Sequence, residues 1–290
     1  MMKVAFLMLC HKNPKQINLL LKALKHPQID VFIHVDSKNE NIREDIEKSD
    51  GVYLLPKKDC VDVQWAQFSE VKATLNLLNV AISKGGGGYS HYFLISGQDF
   101  PLKSIGKIVR FLNERKDENF IDCALIKRFE KRNDIYFPRM VIGRRIWQKI
   151  LKGILVYSTG GWNQTFSIIK RLKPANVQYY FGSQWWCLND AMVKWIYNFL
   201  ENYPEYIKLF KHSLCPDECF FQTLVMNSPF ANTTKPYLHY IKWEKGKSSL
   251  KTLTTIDYEE LKKAEKLIAR KFDINVDAEI IERLRMRYAE

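Results

Sequence analysis

The 290 residues include 46% apolar and 13% aromatic side chains, enough buried surface to offset chain entropy, which excludes a disordered chain. Lys plus Arg number 45 against 32 Asp plus Glu, a formal charge of +13 that favours anionic partners (nucleic acid, acidic lipid headgroups or phosphate-bearing small molecules) without choosing among them. No stretch approaches the roughly 20 apolar residues of a membrane-spanning helix, and MMKVAFLMLCHKN carries neither a basic leader nor a cleavage site, so a first strand and a cytoplasmic location are expected.

In chain order, KVAFLMLCH, PKQINLLLKALKH and DVFIHVD read as strand, helix, strand. Such a βαβ unit makes a parallel sheet by right-handed crossover, and ligands bind beyond the carboxyl ends of its strands. His34 and Asp36 therefore arrive at the expected binding edge. After a short strand at GVYLLP, the apolar side chains Trp65, Phe68, Val71, Leu75 and Leu78 recur at helical spacing. The glycines at 85–88 follow that helix and precede the strand HYFLISG, the reverse of a phosphate-gripping loop, and read as a flexible connection.

The strand HYFLISG delivers Gln98 and Asp99 to the same edge, although Asp before Phe-Pro also suits a plain turn. Further strands are expected at IDCALI, YFGSQWWCL and YLHYIKW, with a helix from Asp190 to about Asn202 and helical stretches at roughly 257–270 and 277–288. On a helical wheel of residues 139–155, Arg144, Arg145, Lys149 and Lys152 oppose Ile142, Ile146, Trp147, Ile150 and Ile154. The preferred expectation is a surface helix packing its apolar side on its own core; the alternative is peripheral contact with an anionic membrane, where each cation adds about 1 kcal/mol.

Alternating elements throughout argue for an α/β fold. Cysteines 10, 60, 123, 187, 215 and 219 form no paired framework and are expected to be reduced thiols. His212, Cys215 and Cys219 lie close together, but Pro216 and two carboxylates interrupt them and no second Cys pair follows at zinc spacing, so no metal site is expected. In HSLCPDECFFQTLVMNSPF (212–230), Pro216 suits a first helical position and Asp217 and Glu218 suit the positive end of a helix dipole, which by itself requires no chemistry.

Seven stretches in order change that balance: IHVD (33–36), VQWAQFSEV (63–71), LISGQDFPLKS (94–104), FGSQWWCLN (181–189), CPDECFFQTLVMNSPF (215–230), YIKWEKGKSSLKTL (240–253) and IARKFD (268–273). Together they resemble the core-2/I-branching N-acetylglucosaminyltransferase family, which also includes peptide O-xylosyltransferases. The resemblance implies a GT-A-like, Rossmann-type mixed sheet flanked by helices, with a helical C-terminal extension. It implies one glycosyltransferase domain over 1–290, comprising a nucleotide-binding half (1–105), an acceptor and catalytic half (106–235) and a diphosphate-binding extension (236–290).

The implied reaction is inverting transfer of a sugar, N-acetylglucosamine first and xylose as the alternative, from a UDP donor to a glycan or lipid-linked glycan hydroxyl. By motif, Glu218 becomes the general base. Asp36 and the main chain near Leu9 hold uridine, while Val63, Gln64 and Trp65 line the nucleotide pocket. Gln184 and Trp185 face the donor sugar, and Ser248, Arg270 and Lys271 bind the diphosphate. Asp99 and Asp217 are acceptor-side or structural candidates.

Inversion by direct displacement needs a base on the attacking hydroxyl and positive charge on the departing diphosphate. The sequence has no Asp-x-Asp pair to hold a divalent cation, so no metal or other cofactor is expected and Arg270 and Lys271 must supply that charge. One cation about 4 Å from a phosphate oxygen is worth roughly 4 kcal/mol at an effective dielectric near 20. Two rival classes remain. A nucleic-acid-binding protein would interleave aromatics with Lys or Arg along one groove, whereas the cations here gather at 139–152 and in the C-terminal third, so no nucleic-acid partner is expected. A catalytically silent sugar-binding relative is the other.

Overall fold

The computed structural model describes residues 2–85, 88–134, 146–161, 164–165, 177–244, 246 and 249–287. The apolar run after Met2 forms strand β1 (Lys3–Cys10), followed by helix α1 (Pro14–Leu24), β2 (Ile29–Val35) and β3 (Val52–Leu54). Helix α2 (Ser69–Gly85) leads to β4 (Tyr89–Ser96), β5 (Asp99–Pro101), α3 (Ile105–Glu114), β6 (Asn119–Phe120), α4 (Lys127–Asp134) and α5 (Ile146–Ser158). Then come β7 (Cys187–Asn189), α6 (Asp190–Asn202), α7 (Glu205–Phe210), a 3-10 turn (Pro216–Glu218) and α8 (Phe220–Met226). The chain ends its described course with β8 (Thr234–Lys235), β9 (His239–Ile241), α9 (Tyr258–Lys263), β10 (Ile268–Arg270) and α10 (Glu279–Met286).

The main sheet has the order β3-β2-β1-β4-β7-β6-β8. Strands β1 to β4 pair in parallel, and β7 runs antiparallel to both β4 and β6. Because β1 is central, its side chains alternate into two cores. Val4, Phe6 and Met8 join α1, α3 and α10 on one face, while Ala5 and Leu7 join α2, α6 and α8 on the other. Helices on both faces of a parallel-rich sheet make this the α/β fold expected. From β1 the chain builds outward through β2 to β3, and β4 then lies on β1's other side, so a crevice opens beyond the carboxyl ends of β1 and β4.

A second sheet, β5-β10-β9, lies at that end. Its register sets Arg270 opposite Asp99 on antiparallel β5 and opposite Ile241 on parallel β9. This sheet corrects the C-terminal expectation of helix over 257–270. Helix α9 stops at Lys263, Ala264 is extended, and Ile268 and Ala269 are wholly buried in a strand. A three-residue strand buried on all sides has no alternating pattern to separate it from a helix. The C-terminal extension is therefore mixed α/β rather than helical, and Arg270 sits on a strand instead of in the last turn of a helix.

The expected strand at YFGSQWWCL is also shorter. Phe181 makes a single bridge to Ala124, and regular pairing begins only at Cys187. Between them the backbone at Gly182 passes so close to residue 122 that a Cβ would lie 1.9 Å from the Asp122 carbonyl oxygen. IDCALI likewise contributes only that bridge after β6. Of the expected basic amphipathic helix, 139–145 lies outside the described residues. In α5 the apolar row is not packed on the core: Ile146, Trp147, Ile150 and Ile154 are exposed, as are Lys149 and Lys152. Among the described residues no helix is long and apolar enough to cross a membrane.

Candidate active site

The strand ends assemble the first wall of the cleft. Leu9 of β1 pairs with His34 on one side and Ser96 on the other. One residue past β2, Asp36 donates its backbone N–H to the Cys10 carbonyl at 2.9 Å. Its Oδ1 accepts from the backbone N–H groups of Lys38 (3.1 Å) and Val63 (3.4 Å). The Lys38 ammonium lies 3.4 Å from Asp36 Oδ2 and 2.9 Å from Asp62 Oδ1, and it also donates to the Val63 carbonyl. His34 Nε2 accepts from Val61 N–H at 2.9 Å, a role that needs neutral imidazole; burial lowers its pKa accordingly. The 61–63 loop is thus tied to the sheet edge by side chains that precede it by nearly thirty residues.

The opposite wall is set from beneath by Asp99, which is fully buried. Its carboxylate accepts from Ser96 N–H (2.9 Å) and Ser96 Oγ (3.0 Å), with His239 Nε2 at 3.3 Å and Arg270 Nη1 at 3.5 Å. Burial pushes the Asp99 carboxyl up, but the Arg270 guanidinium, His239 and the Ser96 amide outweigh it and hold the pKa below the usual carboxylate range. The guanidinium carbon of Arg270 lies 3.6 Å from the ring centroid of Trp185. A desolvated contact of this kind is worth about 2 kcal/mol. Arg270 is only 8% exposed, yet its Nε and Nη1 have no hydrogen-bond acceptor. Buried donors are ordinarily paired, whereas here Nη1 has only the long ion pair to Asp99 and Nε no acceptor on a residue that lines the cleft, an arrangement that suits an anionic ligand.

A third group stands at the cleft's side. Glu70, in the first turn of α2, lines the cleft, and Asp217 in the 3-10 turn is its electrostatic neighbour. Burial first, then Asp217 and Glu218, push Glu70 well above the usual range, with Arg270 opposing. Burial and the neighbouring Glu218 push Asp217 up to about 7, against Arg132. Glu218 Oε2 accepts from Arg132 Nη1 at 2.6 Å, and its side chain is 39% exposed. A half-exposed carboxylate oriented by one arginine can meet an incoming hydroxyl.

The structure therefore brings Leu9, Asp36, Val63, Gln184, Trp185 and Arg270 to one cleft. Its enclosed part measures about 150 Å³, below the roughly 300–1,000 Å³ of typical small-molecule pockets, so a larger ligand must extend past its mouth. Gln64, Trp65 and Lys271 do not line that enclosed part. Gln64 N–H donates to Ser69 Oγ at 2.8 Å, Trp65 is half exposed, and the Lys271 carbonyl accepts from Leu253 N–H. Ser248 lies outside the described residues. Asp99 acts on the cleft through Arg270 and His239. Glu70, Arg132 and His239 escaped the sequence reading. Glu70 sits inside the quoted stretch VQWAQFSEV, but an acidic residue in a first turn is explained by the helix dipole and raises no signal.

Fold and site together define an α/β protein with a cleft, lined by a buried arginine, at the switch point of a parallel sheet. The model of the Core-2/I-Branching enzyme family matches residues 4–265, and the chain belongs to that family. It is 24% identical over 254 residues to Xylosyltransferase oxt of Drosophila pseudoobscura pseudoobscura, covering 84% of this chain and 26% of that protein. It is 22% identical over 233 residues to Xylosyltransferase 2 of Canis lupus familiaris, covering 78% and 25%. The chain thus spans about a quarter of the length of these curated relatives. Among solved structures, the apo structure of the bifunctional glycosyltransferase WbbM is a distant likeness, with a TM-score of 0.42 and 12% identity over 100% of this chain and 52% of that one.

Proposed function

We propose that the protein is an inverting glycosyltransferase of GT-A type that moves a sugar from a UDP donor to a glycan hydroxyl. The observation that carries this reading is Arg270, a cleft-lining residue buried against Trp185, with Nη1 held only by a 3.5 Å ion pair to Asp99 and Nε without an acceptor. Uridine binds against Asp36 and Val63, the diphosphate meets Arg270 assisted by Lys271, and the donor sugar lies along Gln184 and Trp185. Glu218 takes the proton of the acceptor hydroxyl as its oxygen attacks the anomeric carbon; the bond to the diphosphate breaks, and its electron pair leaves with UDP. Charge growing on that leaving group meets a guanidinium already fixed by Asp99, so no divalent cation is required.

For the donor, N-acetylglucosamine is the first reading; the names of the matched relatives favour xylose as the second. The membrane-facing reading is supported by the exposed apolar row and lysines of α5, which suit a cytoplasmic enzyme working on a lipid-linked acceptor at the inner face of a membrane.

A thermal-shift panel of UDP-N-acetylglucosamine, UDP-xylose, UDP-glucose and UDP-galactose, followed by a transfer assay, tests the reading. One donor should stabilise the fold most and be consumed, and Glu218→Gln should lower turnover by at least about a hundredfold with donor binding kept. No shift from any UDP-sugar, or equal turnover by Glu218→Gln, would contradict it.

A further inference from the structure

The segment from Gln178 to Ser183 leads directly into Gln184 and Trp185. Phe181 bridges to Ala124, but the rest of the segment forms no strand. Backbone N–H and C=O groups withdrawn from water need partners, and here α8 and the turn before it supply them. Asn227 Nδ2 donates to the Gln178 carbonyl at 2.9 Å. The Thr223 hydroxyl accepts from Tyr180 N–H at 3.0 Å and donates to the Tyr180 carbonyl at 3.3 Å. Gln222 Nε2 donates to the Ser183 carbonyl at 2.8 Å, and the Glu218 carbonyl accepts from Gly182 N–H at 2.9 Å. From the other side, Asp122 Oδ2 accepts from Ser183 N–H at 3.1 Å.

Two of these bonds come from the piece of chain that carries Glu218. Its own carbonyl and the Gln222 amide grip adjacent residues of the loop, Gly182 and Ser183, immediately before Gln184. Gln222 is wholly buried, and its Oε1 has no partner. Methionine would fill the same space without an orphaned oxygen, so packing alone does not account for a glutamine at this place. Its one hydrogen bond as a donor holds Ser183.

We propose that Gln222 is a positioning residue for sugar transfer: with Asp122 it clamps Ser183 and so holds the donor-sugar loop at a fixed distance from Glu218. This rests on Glu218 as the base and on Gln184 and Trp185 as the wall beside the donor sugar. Reacting atoms must lie about 3–3.5 Å apart, and a misplacement of about 1 Å costs on the order of a hundredfold in rate. Asp36, Val63 and Arg270, which meet the nucleotide in that reading, make none of the clamp's hydrogen bonds, so its loss leaves nucleotide binding in place.

The test is steady-state kinetics with UDP calorimetry on the parent, Gln222→Met, Asp122→Ala and Asp122→Asn, and on Gln222→Met combined with Glu218→Gln. Methionine keeps the length of glutamine but donates nothing. Gln222→Met should lower kcat at least about tenfold, with donor KM within about threefold and UDP Kd within about twofold of the parent's. Asp122→Ala should lower kcat about threefold or more, and Asp122→Asn, which keeps an acceptor oxygen, should restore most of it. Because Gln222 acts through the spacing to the base, Gln222→Met should change the residual turnover of Glu218→Gln by less than about twofold. A parent-like kcat in Gln222→Met, a raised UDP Kd, or the same factor lost in both backgrounds would overturn the proposal. If Gln222→Met shows no cooperative urea transition, the Asp122 variants decide: a parent-like kcat in Asp122→Ala, or no rescue by Asp122→Asn, overturns it. Full activity of Glu218→Gln would remove the base assignment and this role together, whereas a parent-like Gln222→Met beside a Glu218→Gln of low turnover removes the clamp alone.

Discussion

Asp99 and Arg270 show how a buried charge is made useful. The carboxylate is wholly enclosed, satisfied by Ser96 on one side and faced by His239 and Arg270 on the other. Removing one member of such a pair leaves an uncompensated buried charge, typically at a cost of about 3–5 kcal/mol. Asp99→Asn is therefore expected to lower unfolding stability by a large part of that figure at neutral pH and to weaken UDP binding by freeing Arg270 to turn. The pH dependence has a definite sign. A depressed folded-state pKa contributes stability that is present above the unfolded carboxyl value and lost as pH falls through the folded one. In urea titrations, the gap between parent and Asp99→Asn should narrow as pH falls below about 4. Asp217 has the opposite sign: raised to about 7, it stabilises the fold at acid pH, and that contribution is lost as pH rises from about 4 towards 7. Relative to Asp217→Asn, the parent should lose stability across that interval; a constant difference would refute the assignment.

Among the elements, those with a strong period were legible in the sequence. The opening βαβ unit and the helix Asp190–Asn202 are where apolar spacing puts them. Two stretches and the packing of one correctly expected helix were not legible, each for a physical reason. Strand β10 is three residues long and buried throughout, so it has no alternation to read. The stretch around Gly182 turns because its backbone nearly touches residue 122, a tertiary contact with no local signature. Helix α5 leaves its apolar row exposed, against the usual rule that such a face is buried. Gly182→Ala must push the Asp122 backbone away and is expected to destabilise by about 2 kcal/mol or more in urea unfolding. Ile150→Ser in α5 should change stability by no more than about 0.5 kcal/mol, because that side chain is largely in water.

At the scale of the whole molecule, the site depends on chain ends that meet. Asp36 and Val63 come from the first quarter of the chain, Glu70 from α2, Trp185 from the middle and Arg270 from the last strand. Sequence order alone could not reveal that register in the second sheet places Arg270 opposite Asp99. The resemblance named half of the cleft residues, Leu9, Asp36, Val63, Gln184, Trp185 and Arg270, because it carries such tertiary information. It left out Glu70, which only the packing of α2 against the 3-10 turn brings beside Asp217 and Glu218. The +13 charge suits an anionic donor, and the buried guanidinium gives that general attraction one fixed address. Calorimetric titration of UDP in excess EDTA, into the parent and into Arg270→Gln, tests this most directly. The account predicts binding by the parent without metal and at least about tenfold weaker binding by the variant; equal affinities, or binding by the parent only when Mn²⁺ is restored, would contradict it.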